Sequence, residues 1–435
     1  MTTPHPMPGA LPPNGGCPHG PASSTTVPAG HLAIHGPEFS ANPHAIYNQL
    51  RALGPIAPCE IAPGVYGYVT TTYRSALYLL RNTPEVFAKD PRHWLALRDG
   101  HVPADSPARE MMQPRQSALW LDGEDHGRLR GAITDSLGWV DTHALAATVA
   151  RIADQLLDRI STRGRADLVA HFADPLPMQV LIEMFGCPSD LGQVIVNSVA
   201  KLFDTTQDSA RTNADLESAC LAVARLKRDQ PAADVASWLV HHPARLSDDE
   251  IVQQILLVVG AGTVPSTNLI ANSLLLLITD DQYSGDLHTG VRPVADALDH
   301  VLWEDPPVSN YCPLYARYQH TYEGIRLPAG VPILVSFAAA NSDPALGKHS
   351  QRRAGNRAHL AFSAGIRSCP APGLARVITE TAIERVLDRL PDLALEVPVS
   401  RLTRRPGTFH SGWTNLPVTF PAAAPSATHS YGVSR

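Results

Sequence analysis

Cys369 lies in the stretch HLAFSAGIRSCPAPGLAR (359–376), between a Ser/Ala/Gly turn and a run with helical spacing. Small residues let a chain turn sharply and approach a flat ligand closely. Backbone N–H groups in such a turn, and the positive end of a helix starting near Pro372, favour thiolate over thiol. Arg367 is placed to pair with a carboxylate. A thiolate presented this way suits the axial site of a haem iron, with the arginine on a haem carboxylate. A small buried cysteine on a structural turn has the same spacing, so spacing alone leaves both readings open.

Two further constellations carry chemistry. In LDGEDHGRLRGAI (121–133), His126 and Arg130 fall four apart on one helical face, where two donors can hold the carboxylates of one ligand. In AGTVPS (261–266), Ala261 and Gly262 precede Val264, Pro265 and Ser266. Pro265 removes a backbone donor and should kink its helix. The other cysteines, at 17, 59, 187, 220 and 312, form no C-x-x-C pair, which speaks against a disulfide framework or a structural zinc site.

Positioning these groups falls mainly to helices. Apolar spacing predicts long helical segments over 124–137, 142–162, 175–186, 191–203, 213–227, 248–279, 293–303 and 371–389. A shorter one, NPHAIYNQLRALGP (42–55), places Ile46, Leu50 and Leu53 on one face. Strand patterns are few: 65–72, 315–319, 324–326, 331–335 and 416–420. The fold class is mainly α with small β-sheets. No linker or repeat divides the body, so residues 36–421 read as one domain. Residues 1–35 read as a disordered tail, rich in Pro, Gly, Ser and Thr, and residues 422–435 as a loose C-terminal one.

The chain has 435 residues, 44% of them hydrophobic, enough for a large core. A net charge of −6 argues against a general nucleic-acid binder. No Lys/Arg-led apolar leader opens the chain, and the longest apolar run, from Ile251 on, is interrupted by Gly262 and Pro265. These features predict no signal peptide, no membrane span and a reducing cytoplasm.

The cysteine stretch resembles the haem-binding loop of cytochromes P-450, F-x-x-G-x-[HR]-x-C-x-G-x-x-L-A-R. Phe362, Gly365, Arg367, Cys369, Leu374, Ala375 and Arg376 fall at matching places, while Ser363 and Ala371 replace two glycines of the fuller pattern. The segment 121–133 is similar to the family's C helix, DPP (305–307) follows a helix as in the family, and IRLPAGVPILVSFAAANSDP (325–344) resembles the segment after it. The resemblance covers about 36–421. It implies a cytochrome P-450 fold in a single haem-binding domain, haem b as cofactor and Cys369 as the iron's fifth ligand. It further implies that His126 and Arg130 contact the haem propionates, with Arg367, Phe362 and Gly365 completing the cofactor site.

The chain departs from the family at three places. The K-helix E-x-x-R pattern gives His300 and Trp303 instead, and ALGKHSQRRAGNRAH (345–359) stands where an aromatic-rich meander is usual. Replacing a whole buried ion-pair set with packed groups can be neutral, so Trp303 reads as a packing substitute. On the I helix, the acid and alcohol that relay protons to dioxygen are replaced by Val264 and Pro265, with Ser266 as a nearby hydroxyl. The place near Leu314 often carries an arginine for a propionate, and Arg317 lies close by but out of register.

These departures resemble an actinobacterial P-450 subgroup that includes enzymes joining tryptophan-containing diketopiperazines. That resemblance implies oxidative radical C–C or C–N coupling, with Cys369, Val264, Pro265 and Ser266 at the reacting centre. Family topology implies a substrate site of Ala261, Val264 and Pro265, of Ser309, Asn310 and Tyr311, and of Phe409 and His410. Trp94, Met111, Met112, Trp120 and Trp413 are further wall candidates. The partners implied are one or two cyclic dipeptide molecules, a ferredoxin and a ferredoxin reductase, with no nucleic acid and no membrane. The basic residues Lys348, Arg352, Arg353 and Arg357 could steer an acidic ferredoxin. A conventional monooxygenase of a small natural product, and a non-catalytic haem protein in a signalling complex, are the alternatives.

Overall fold

The computed structural model describes residues 31–203, 209–280, 283, 294–347 and 355–422. The tails at 1–30 and 423–435, and with them Cys17, lie outside the described residues, as do Lys348, Arg352 and Arg353. Residues 31–35, expected in the tail, belong to the folded body: Ile34 is buried and its N–H donates to Glu60 O at 2.9 Å.

Helices dominate, and the longest, Asp248–Thr279, runs through the middle. Its start is written in the sequence. The Ser247 hydroxyl accepts from the Glu250 N–H, and the Glu250 carboxylate accepts from the Ser247 N–H, closing a capping box. Asp248, Asp249 and Glu250 then face the positive end of the helix. Helices Pro175–Met184, Ser209–Asp229, Val294–Glu304 and Pro372–Arg389 pack around it. Its first half joins one apolar cluster through Ile251, Ile255 and Val259; its second half joins another through Leu269, Ile270 and Leu274.

The helix runs through Gly262 and Pro265, with the bounds that its apolar spacing predicts. By length and composition alone the helix would suit a membrane span, but more than half of its most apolar stretch is buried, as in the core helix of a folded domain. Proline inside a helix removes one N–H donor, so the Ala261 carbonyl lacks its usual partner from Pro265.

The main sheet has strand order β1-β2-β8-β5-β3, with β1 Ile56–Ala62, β2 Val65–Thr70, β3 Phe87–Ala88, β5 Asn310–Ala316 and β8 Pro332–Ser336. Only β2 and β8 run parallel. They approach so closely that a Cβ on Gly67 would lie 2.4 Å from Pro332 O. Smaller sheets pair β4 Arg165–Asp167 with β10 Pro417–Thr419 and β10 with β9 Ala394–Leu395, and β6 His320–Tyr322 with β7 Ile325–Leu327. Strand β5 is irregular between Tyr311 and Leu314: three steps along it match two along β8. One extra residue there makes a bulge and turns carbonyls out of the ladder.

Candidate active site

The cysteine loop is held from both sides. The Cys369 N–H donates to Phe362 O at 2.8 Å, and Ser368 N–H to Gly365 O at 3.1 Å. Gly365 has φ +69°, and a Cβ there would sit 2.9 Å from Leu80 O, so both conformation and space require glycine. Ser363, where the family pattern has glycine, adopts φ 61° despite its side chain. Ala371, at the other replaced glycine, has an ordinary negative φ of −136° and needs none.

The Ala371 N–H points at Cys369 Sγ from 3.4 Å, at the start of helix Pro372–Arg389. That N–H and Arg130 favour the thiolate, but burial outweighs them and leaves the thiol raised above its ordinary range. The expected net lowering is thus not met by the protein groups alone. A coordinating metal deprotonates such a thiol outright.

Arg130 and His126 do share a face of helix Gly123–Gly138. Arg130 donates to Ser368 O at 2.5 Å and so ties that helix to the cysteine loop. His126 is buried and its Nε2 has no partner; burial, helped by Arg367 and Arg130, pushes its pKa down to about 4. Arg367, also buried, donates to Ala118 O, Leu119 O, Leu121 O and Asp122 Oδ1, the last at 2.6 Å. Those four contacts use both terminal nitrogens, and Nε alone is left buried and unpartnered. Two orphaned nitrogens near one thiol fit a ligand bearing carboxylates.

A cleft reaches the central helix beside this loop. Gly260 and Ala261 are exposed midway along it, although Val259 and Thr263 are buried, and a Cβ on Gly260 would meet nothing within 4 Å. Helix Pro372–Arg389, which starts from the cysteine loop, packs against the central helix, and its Leu374 joins the same apolar cluster as Val259. Ala261, Val264 and Pro265 lie at i, i+3 and i+4 and share a face. Ser266 does not: five residues on from Ala261 it points roughly 140° away, and it is buried. Its place in the reacting set is therefore not supported. Two other hydroxyls flank the segment, but Thr263 Oγ1 donates to Val259 O at 2.6 Å and Thr267 Oγ1 to Ala173 O at 3.0 Å.

The expected substrate residues after DPP divide. Asn310 is fully buried, donates to Thr408 O at 2.6 Å and accepts from the Tyr47 hydroxyl at 3.0 Å, so it clasps three segments rather than facing a cleft. Ser309 is buried too, its carbonyl taken by Phe337 and Ala338 N–H. Tyr311 is half-buried, within electrostatic reach of Arg367, Arg130 and Cys369. Phe409 and His410 are half-buried; the Phe409 carbonyl accepts from Ser309 and Asn310, and His410 is pushed down to about 4 by burial with Nδ1 unpartnered. Trp94 and Met112 are core residues, and Trp413 stacks under Arg404 at 4.1 Å.

Three residues that sequence reasoning passed over complete the site. Asp122 accepts from Arg367 and faces Arg317 at 3.6 Å; it lay unread beside the His126 motif. Asp299, one residue before His300, pairs with Arg376 and faces Arg357 at 4.0 Å. Trp303 is buried as expected, and it also donates its indole N–H to Asn356 O. Lys89 is fully buried beside Tyr311, and nothing in its local sequence signals that.

No family model matches the chain. Curated relatives do. Cytochrome P-450-SU2 of Streptomyces griseolus is 30% identical over 339 residues, which cover 76% of this chain and 84% of that protein. The chain belongs to the cytochrome P-450 family. The 2-hydroxy-5-methyl-1-naphthoate 7-hydroxylase of Streptomyces carzinostaticus is 26% identical over 392 residues, 87% of this chain and 95% of its own. Among solved structures, testosterone-bound CYP154C4 of a Streptomyces species superposes with TM-score 0.82 at 28% identity, over 89% of this chain and 98% of that one. The P-450 fold, haem b as cofactor and an oxidoreductase activity of the monooxygenase type follow for this chain. The unpartnered His126 and Arg367 nitrogens, the Cys369 thiol and the cleft at Ala261 fit that cofactor.

Proposed function

We propose that this P-450 joins aromatic rings, coupling tryptophan-containing diketopiperazines to each other or to another ring through a C–C or C–N bond. Cys369 would hold the haem iron, and His126, Arg130 and Arg367 would hold its propionates. The observation that carries the reading is the central helix over the cleft. Val264 and Pro265 occupy the places of a proton-relaying acid and alcohol, and the flanking Thr263 and Thr267 hydroxyls are tied to carbonyls.

Bound haem supplies the oxidising power, drawing on dioxygen and two electrons from a ferredoxin and its reductase. The chain's own part is to hold two flat substrates in register, so that each loses one hydrogen atom and the carbons, or a carbon and a nitrogen, meet. Two R–H, dioxygen, two electrons and two protons then give R–R and two waters. An apolar wall of Ala261, Val264 and Pro265 offers no side-chain acid or alcohol to the reacting centre. Tyr311, Phe409 and His410 supply aromatic surface for stacking.

The test is a titration of the ferric protein with cyclo-(Trp-Pro) and related cyclic dipeptides, following the Soret band. A saturable low-to-high-spin shift supports the reading. No shift with any of them, in protein of confirmed haem content, counts against it. A second reading, oxygen insertion into a small natural product, is supported by the hydroxylase activity named for the naphthoate relative. The two differ in product: a dimer lacking two hydrogens, or a monomer carrying one more oxygen.

A further inference from the structure

Pro265 stands inside helix Asp248–Thr279 and brings no N–H to it. The group that such an N–H would satisfy is the carbonyl four residues back, on Ala261. The proline ring also crowds that carbonyl and keeps the two from closing up. The Ala261 oxygen is therefore left to a donor from outside the helix ladder.

The side on which it lies is open. Ala261 is exposed and Pro265 half-buried, and a Cβ on Gly260 would meet nothing within 4 Å. The face of Gly262 and Ser266 is closed instead: Ser266 is buried, and a Cβ on Gly262 would lie 2.9 Å from Leu181 Cδ1. The hydroxyls of Thr263 and Thr267 are spent on Val259 O and Ala173 O. The side chains of Ala261, Val264 and Pro265 carry no donor or acceptor. One backbone oxygen thus stands as the polar point on an otherwise apolar wall.

Water satisfies such an oxygen while a cleft is open. A flat ligand laid against the wall removes that water. It must then bring a donor of its own or strand a polar atom under apolar surface. Sites built round a hydrogen bond reject the analogue that lacks its partner far more strongly than apolar pockets reject a missing methylene. A single acceptor also fixes how a flat ring turns within its own plane, which apolar contact leaves free.

We propose that the Ala261 carbonyl, released by Pro265, accepts a hydrogen bond from an N–H of the bound substrate, selecting for that donor and setting the ring's orientation. The proposal rests on the diketopiperazine reading: cyclo-(Trp-Pro) has two such donors, its indole N–H and one ring amide N–H.

The experiment is calorimetric titration of the haem-loaded protein and its Pro265→Ala variant with cyclo-(Trp-Pro), and with two analogues methylated at the indole or at the amide nitrogen. Alanine suits a helix interior and returns an N–H to the Ala261 carbonyl. Pro265→Ala should bind cyclo-(Trp-Pro) about three- to tenfold more weakly, the range that one net hydrogen bond represents. One methylated analogue should keep that difference. The other, blocked at the bonded nitrogen, should bind parent and variant alike. A loss of the same size for all three ligands would assign the proline ring to packing and overturn the proposal. So would equal binding of cyclo-(Trp-Pro) by parent and variant. In both cases the diketopiperazine reading stands. Binding of none of the three by either protein overturns that reading, and the proposal with it.

Discussion

Trp303 donates its indole N–H to the backbone carbonyl of Asn356 at 2.7 Å, and so fastens helix Val294–Glu304 to the segment that leads into the cysteine loop. One turn earlier on the same face, Asp299 takes the Arg376 guanidinium from helix Pro372–Arg389. Through these two contacts the helix is held both to helix Pro372–Arg389 and to the stretch before Cys369. His359 packs edge-on against Trp303 at 5.8 Å and completes the joint.

Asp299→Asn leaves the buried Arg376 cation to its longer contact with Glu380, at 3.5 Å. Breaking a buried pair from one side typically costs about 3–5 kcal/mol. Trp303→Phe keeps most of the packing but gives up the hydrogen bond to Asn356 O, which water can replace at that exposed residue, at about 0.5–1.5 kcal/mol. Denaturant midpoints of both variants check this. Unchanged midpoints would mean the joint contributes nothing to stability.

His359 and His410 are both pushed down to about 4 by burial, from an ordinary 6.5. Between those values the unfolded chain binds protons that the folded chain refuses, so stability falls as pH falls. Thermal midpoints should be flat with respect to these groups above about pH 6.5 and should drop between there and pH 4. His359→Gln and His410→Asn should each flatten the slope in that window. Slopes identical to the parent's would contradict the assignment.

Cys369→Ser leaves a side chain of similar size on a loop held by backbone hydrogen bonds to Phe362 and Gly365. Its far-UV circular dichroism should match the parent's. The reduced carbon monoxide complex should lose the long-wavelength Soret band that thiolate ligation gives. Retention of that band would exclude Cys369 as the ligand.

Val264→Asp with Pro265→Thr returns an acid and an alcohol to the exposed face of the central helix, and returns an N–H donor toward Ala261 O. Positioned proton donors contribute about 10²–10⁴-fold to a step. The ratio of oxygen-inserted to coupled product should rise by about tenfold or more. Product ratios by mass spectrometry decide; an unchanged ratio means the relay is not what separates the two outcomes.

The helices and the cysteine loop were legible because their signals are local. Gly365 and Arg367 stand at fixed distances from Cys369, and apolar spacing marked helix 248–279 at both ends. The strand Ile56–Ala62 was missed because a short apolar run carries little period; helix Tyr73–Arg81 was missed although Ala76, Leu79 and Leu80 share one face and Thr72 caps its start. Asp299 was overlooked because a fixed spacing was sought one residue later. Lys89 could not be read at all: its ammonium is held by a carbonyl pair more than 220 residues away, released by a bulge that no pattern in FAKD announces. Asn310 misled for the opposite reason. A position that follows DPP suggested a pocket wall, but long-range bonds to Tyr47 and Thr408 draw its amide into the core.

The most direct test of the coupling account is turnover with cyclo-(Trp-Pro), ferredoxin, its reductase and isotopically labelled dioxygen. The account predicts a dimer two hydrogens lighter than two substrates, with no label in the product and all of it in water. A labelled, oxygen-bearing monomer as the sole product would contradict it and make this P-450 a hydroxylase.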